Sequence, residues 1–243
     1  MENNPNKSQD RATLVMLPMP LGSNSANSML HSEFNLHVNT INCWVVENAR
    51  TFRRFISSLK RPIDIEKLNI FELHRDYDRL TLRQFLEENI QRGSIGVASE
   101  AGVPGMADPG AEIASWAHAN DVAVISVTGP SSLILALSGS GLNGQQFTFH
   151  GYAPVKDDEL RSFLGKMAKD CEKTGYTQGL IEAPYRSDRL LTQLLSVLND
   201  TMKICIACNL HEPDGFIKTR TVAGWKLSKQ TIGKKPCIFL VGR

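Results

Sequence analysis

The chain has 243 residues, 42% hydrophobic and 21% charged, with a formal net charge of +2. That length suits one large domain or two small ones with a real core, and no run approaches the eighteen apolar residues of a membrane span. A nearly neutral chain lacks the broad basic excess of a nucleic-acid protein, so any RNA contact must rest on a local patch.

The first twelve residues, MENNPNKSQDRA, are polar, lack the apolar core of a signal peptide and read as a loose tail. Ala12–Leu17 reads as a buried strand that runs into the tight Pro18-Met19-Pro20-Leu21-Gly22 loop. The polar Ser23–Ser28 stretch predicts no element. Ile41–Glu47 reads as a strand, and Arg50–Lys60 as a helix with Phe52, Phe55, Ile56 and Leu59 on one face. Leu68–Leu73 predicts a short strand. Leu80–Ile90 predicts an amphipathic helix closed by Gly93 as a C-cap.

Ile95–Ser99 predicts a strand, Gly110–Asn120 a helix, and Val122–Val127 a strand apolar enough to be covered on both faces. Ser131–Ser138 opens a helix with Ser131 or Ser132 as N-cap. This alternation predicts a mostly parallel sheet. Beyond Gly141 strands follow one another more closely, at 147–150, 178–182, 203–207, 216–222 and 237–241, with helices over 156–173 and 187–198. A short turn of helix falls near Trp225. That pattern predicts a mixed or antiparallel second sheet. The expected division is an N-terminal domain, 1–128, carrying the Gly/Pro-rich loop, and a C-terminal domain, 129–243.

The five cysteines, Cys43, Cys171, Cys205, Cys208 and Cys237, are odd in number in a long chain and predict reduced thiols in a cytoplasmic setting. Cys205 and Cys208 form a C-x-x-C within MKICIACNL. A strand offset of three puts their side chains on opposite faces, which argues against a redox or zinc pair. His74, His150 and His211 show no metal spacing.

Two loops follow apolar strands directly. Glu100-Ala101-Gly102-Val103-Pro104-Gly105-Met106-Ala107-Asp108-Pro109-Gly110 holds three glycines and two prolines, which fix a backbone path that a ligand can approach closely. It is neither a P-loop nor the usual dinucleotide fingerprint. Thr128-Gly129-Pro130-Ser131-Ser132 sets backbone N–H groups at a helix start, where they serve as a cap or hold an anion. Glu47 stands at a strand end beside a helix start, where it is either a site carboxylate or a dipole partner. Arg50, Arg53 and Arg54 form either a phosphate-binding stripe or a solvated helix face. Glu182 and Arg186 flank Pro184 after a strand, a position that lines α/β ligand sites.

VASEAGVPGMADPG, then VTGPSSLILALSGSGL, then FTFHGYAP resembles the tetrapyrrole methylase superfamily, and within it most closely the ribosomal RNA small subunit methyltransferase I family. Leu17-Pro18-Met19-Pro20-Leu21-Gly22 resembles that family's V-P-T-P-I-G, Glu47-Asn48-Ala49-Arg50 its E-D-T-R, and Glu182-Ala183-Pro184-Tyr185-Arg186 its E-S-P-H-R. The resemblance implies two α/β domains with S-adenosylmethionine in a cleft between them, a homodimer, and no metal. By matched position it places the cofactor against Pro18, Glu100, Ala101, Gly102, Pro104, Met106, Ser131, Ser132, Ala183, Asn209 and Leu210. The catalytic candidates are Glu47, Arg50, Glu182 and Arg186. The implied activity is S-adenosylmethionine-dependent methylation of RNA, such as a ribose 2′-hydroxyl of ribosomal RNA, with RNA or a ribosomal subunit as partner. The sequence departs from the family at Asn48, at Tyr185 (His in the family) and at Cys208-Asn209 (Arg-Glu there). These departures keep two rivals open: methylation of a small molecule such as a tetrapyrrole, and a cofactor-binding module without catalysis.

Overall fold

The computed structural model describes residues 12–23, 29–74, 76–228 and 231–243, so most of the expected N-terminal tail lies outside the described residues. The chain divides into two compact units, one of residues 12–21 and 29–130, the other of 22–23 and 131–243.

The first unit is a three-layer α/β/α sandwich. Strands β1 (Thr13–Met16), β2 (Cys43–Val46), β3 (Asn69–Glu72), β4 (Ile95–Ala98) and β5 (Ala123–Ser126) form an all-parallel sheet in the order β3-β2-β4-β1-β5. Helices α1 (Ser32–Thr40) and α2 (Ala49–Ser58) cover one face through Phe34, Val38, Phe52, Phe55 and Ile56. Helices α3 (Arg79–Ile90) and α4 (Gly110–Ala119) cover the other through Leu82, Leu86, Ile90, Ile113 and Ala117. Successive strand residues feed opposite cores, as the pleat requires: Leu14 and Met16 join the second cluster, Val15 and Leu17 the first.

Two details differ from the sequence reading. Helix α1 has no counterpart among the predicted elements. Its sequence, SEFNLHVNT, is rich in weak helix formers, and only Phe34 and Val38 are buried. Its N-cap is His31, whose Nδ1 accepts from Phe34 N while Nε2 bonds the Thr128 carbonyl at 2.9 Å. Strand β5 lies at the sheet edge with Ala123 and Ser126 exposed, yet it is covered on both faces as expected: Ile125 and Val127 pack into one core, Val122 and Val124 into the other. Helix α3 is capped by Gln91 in the right-handed region rather than by Gly93.

In the second unit β6 (Phe147–Tyr152), β7 (Thr177–Glu182), β8 (Lys203–Cys208), β9 (Phe216–Thr221) and β10 (Cys237–Gly242) form a mixed sheet in the order β6-β7-β10-β8-β9. Only β6 and β7 pair in parallel. Helix α5 (Ser132–Gly139) packs on one face through Leu133, Ala136 and Leu137. Helices α6 (Asp157–Thr174), α7 (Ser187–Val197) and α8 (Val222–Ser228) pack on the other. Cys205 belongs to the first of these clusters and Cys208 to the second, so the C-x-x-C pair does straddle the sheet.

Candidate functional site

The order of the parallel sheet creates a crevice. Strand β4 lies between β1 and β2. The chain leaves β1 and β2 toward α1 and α2 on one face, and leaves β4 toward α4 on the other. Loops that part on either side of a sheet leave an opening at the carboxyl ends of their strands, where α/β proteins bind ligands. Here the opening is bounded by the Pro18–Leu21 loop, by Glu47 and by the loop after Ser99.

These three segments are tied together. Met19 and Gly102 exchange two backbone hydrogen bonds of 2.8 and 2.9 Å, joining the β1 and β4 loops. Gly102 takes φ +77, a region that disfavours a side chain, and the non-glycine Ala107 sits at φ +65. Asp108 Oδ1 accepts from the N–H groups of Gly105 and Gly110, at 2.5 and 2.9 Å, which folds the loop back onto the start of α4. Pro18 is buried against Gly129, where an added Cβ would fall 2.2 Å from Pro18 Cγ. The loop thus presents Glu100, Ala101 and Met106 outward while Gly102 and Pro104 stay buried. Met106, 43% exposed, is an apolar surface left open at the strand ends.

Glu47 closes β2, and its Oε2 accepts from the backbone N–H of Glu100 at 2.9 Å. Burial pushes its carboxyl above the ordinary value. The Glu100 N–H acts against that shift, and the charges of Glu100 and Asp108 add to it. Beside it lies an open cavity of about 520 Å³ lined by Glu47, Asn48, Glu72, His74, Tyr77 and Glu100. Asn48 caps α2, its Oδ1 accepting from Thr51 N at 2.9 Å. Asn and Asp cap equally well, so the departure from E-D-T-R keeps the helix start. On α2, Arg50, Arg53 and Arg54 are exposed and form no ion pair among the described residues.

The second unit gathers its own candidates at one end of its sheet. Ala183 follows β7 and Asn209 follows β8, on either side of the start of β10. Ser131 caps α5, and Leu133, Ile181 and Leu210 pack in one cluster, so Ser131 and Ser132 belong to the same end. Asn209 and His211 both take positive φ, +50 and +64. The Asn209 side chain donates to Asp214, and Glu212 binds the N–H and hydroxyl of Ser23 at 2.8 and 2.6 Å. Glu182 and Arg186 form a buried ion pair. Glu182 Oε1 accepts from Arg186 Nε and Nη2 at 2.9 and 2.6 Å and from Ala183 N at 2.8 Å. Its Oε2 is buried without a partner. Glu182 faces the side of β7 covered by α6, α7 and α8, the side of Leu180, as the strand period dictates. The sequence reading missed the Met19–Gly102 tie, the Gly129–Pro18 contact and the Glu72, His74 and Tyr77 wall. The first two depend on pairings between distant loops that no local pattern reports.

No family model matches the chain. It is 28% identical over 195 residues to the ribosomal RNA small subunit methyltransferase I of Streptococcus pyogenes serotype M6, covering 80% of this chain and 63% of that protein. The protein of the same name from Xylella fastidiosa is 29% identical over 196 residues, covering 80% and 66%. That from Synechocystis is 33% identical over 138 residues, covering 56% and 48%. Among solved structures, the methyltransferase CobJ superposes with a TM-score of 0.62 at 14% identity, covering 96% of this chain and 94% of its own. The chain is thus a distant relative, by sequence, of ribosomal RNA small subunit methyltransferase I proteins, and it shares the fold of the methyltransferase CobJ. The cobalt precorrin-4 methyltransferase CbiF has the same fold, with a TM-score of 0.60 at 14% identity over 95% of this chain. The chain spans 63% of the length of the Streptococcus relative.

Proposed function

We propose that the chain is an S-adenosylmethionine-dependent methyltransferase acting on RNA, with a ribose 2′-hydroxyl of ribosomal RNA as acceptor. The observation that carries this reading is the placement of a half-buried carboxylate, Glu47, at the opening between β2 and β4, one helix turn from an arginine stripe that forms no ion pair among the described residues.

The residues present suit the donor. Pro18 and the Glu100–Met106 loop offer backbone groups, one carboxylate and the open Met106 surface, the mixture that an adenosine with a charged amino-acid tail needs. Bound there, S-adenosylmethionine supplies a sulfonium methyl for in-line displacement. The chain's own part is then to fix geometry and exclude water. Glu47 accepts the proton of the attacking hydroxyl, and its raised pKa makes it a better base than an exposed glutamate. Arg50, Arg53 and Arg54 take the phosphates of the acceptor strand, which Glu72 and Glu100, lining the same cavity as Glu47, turn away from the reacting carboxylate. No residue of this set calls for a metal. The relatives named as ribosomal RNA methyltransferases support the acceptor class.

The test has two parts. Titration calorimetry with S-adenosylmethionine and S-adenosylhomocysteine should show micromolar binding, about −8 kcal/mol. Transfer of labelled methyl should then mark ribosomal RNA or its small subunit. Labelling of porphyrinogens instead would move the acceptor to tetrapyrroles. Binding without transfer to either would make the chain a cofactor-binding module.

A further inference from the structure

Cys208 is the last residue of β8 and Cys237 the first of β10, and the antiparallel register sets them directly opposite one another. The N–H of Asn209 donates to the carbonyl of Pro236 at 2.9 Å. A bond between the residues just outside a facing pair marks that pair as non-hydrogen-bonded, with Cα atoms about 4.5 Å apart. A disulfide spans Cα separations of about 4.4–6.8 Å, so the pair stands at the short end of the permitted range. Both side chains lie on the face covered by α7, in one core cluster. Ser187, at the start of α7, donates its hydroxyl to the Lys235 carbonyl at 3.3 Å, and the Lys235 side chain pairs with Asp214 beside the two thiols.

We propose that Cys208 and Cys237 are a modification site: a dithiol that hydrogen peroxide converts to a reversible cross-strand disulfide. In the first step the Cys208 thiolate attacks the peroxide, an S–O bond forms, the O–O bond breaks and hydroxide leaves. In the second, the Cys237 sulfur displaces the hydroxyl of the Cys208 sulfenic acid, the S–S bond forms, and water leaves with the Cys237 proton. The two sulfurs together lose two electrons and the peroxide is reduced to water.

The surroundings divide the roles. The adjoining Cys237 thiol, opposed by burial and helped by Lys235, holds the Cys208 thiol below its ordinary value. Cys237 is held above its own, by the adjoining Cys208 and by burial, and keeps its proton. The other cysteines have no such partner: burial raises the thiols of Cys171 and Cys205, and that of Cys43 to about 12. Both reacting sulfurs sit where the β8–β10 ladder ends, so opening of the strand ends admits a small oxidant without unfolding the sheet. The bond would fasten the root of the 209–215 loop, now tied to β10 by the Asn209–Pro236 bond and the Asp214–Lys235 ion pair.

The experiment uses the full reduced chain, treated with hydrogen peroxide, alkylated after denaturation and analysed by mass spectrometry. The expected product has lost two hydrogens, yields one cross-linked peptide containing Cys208 and Cys237, and carries alkyl groups on Cys43, Cys171 and Cys205. Dithiothreitol should restore it. Free Cys208 and Cys237 after treatment, a Cys208 sulfinic acid beside a free Cys237, or a bond to any other cysteine overturns the proposal. In Cys237→Ser, dimedone should trap a sulfenic acid at Cys208. A folded variant, checked by circular dichroism, that gives no adduct overturns the order of steps. The wild-type peptide map decides the pairing even if the variant fails to fold.

Discussion

Glu47, at the end of β2, accepts a hydrogen bond of 2.9 Å from the backbone N–H of Glu100, at the end of β4. One contact therefore sets a carboxylate against the start of the loop assigned to the methyl donor. It ties the end of β2 to the Gly/Pro-rich loop through a main-chain group that no side-chain substitution at position 100 removes, short of proline.

Glu47→Gln keeps an oxygen to accept that bond and should leave donor affinity within a few fold, while methyl transfer falls by roughly a hundredfold or more, the range of a lost general base. The wild-type pH–rate profile should show an acid limb above the ordinary glutamate range, because burial raises the Glu47 carboxyl, and the variant should lose that limb. The stability sign is opposite to that of a salt-bridged carboxylate. With the folded pKa above the unfolded one, stability declines as pH rises from the unfolded value through the folded one. Glu47→Gln should flatten that decline in urea unfolding measured across the window. Equal turnover in the variant removes Glu47 from the chemistry.

Arg50, Arg53 and Arg54 project from α2 without ion-pair partners among the described residues. Changing all three to Gln should leave donor binding and unfolding unchanged. RNA affinity should weaken, and its salt dependence should flatten by about 0.7–0.9 in the log–log slope for each phosphate no longer neutralised. An unchanged slope identifies the stripe as a solvated helix face.

Gly129→Ala places a Cβ 2.2 Å from Pro18 Cγ and 2.3 Å from its Cβ. The proline ring cannot swing aside, since its backbone continues β1. The substitution should cost roughly 1–3 kcal/mol, as overpacking does, and lower donor affinity at least tenfold by calorimetry. Full affinity in a folded variant places the donor away from Pro18.

Arg186→Ala strips the partner from Glu182, whose side chain is fully buried. A buried charge left alone costs about 3–5 kcal/mol, whereas removing both charges together restores much of it. Urea unfolding of Arg186→Ala, Glu182→Gln and the double variant tests this. Additive losses in the double variant show that the pair is not coupled.

Most elements are legible because their signals are local. Strand β1 is a short apolar run ending in Pro18, α2 repeats Phe52, Phe55 and Ile56 at helical spacing, and α6 opens on Asp157 and Asp158 and ends at Gly175 in the left-handed region. Helix α1 is illegible because its stability comes from packing Phe34 and Val38 and from a histidine cap tied to Thr128, a long way along the chain. Strand β5 is legible as a strand covered on both faces, but its apolar content reports burial and not its place at the sheet edge.

The sequence by itself determined the element order, the two kinds of sheet and the loops that carry glycine where φ turns positive, because each follows from periodicity or from one residue's own backbone limits. Only the tertiary structure decided that β4 inserts between β1 and β2, that Glu47 meets Glu100, that Glu182 spends its charge on Arg186, and that Cys208 faces Cys237 rather than Cys205. Strand order and register arise from the joint packing of distant segments. A one-residue slip would exchange the faces of a whole strand, so local pattern leaves such pairings open until the cores close around them.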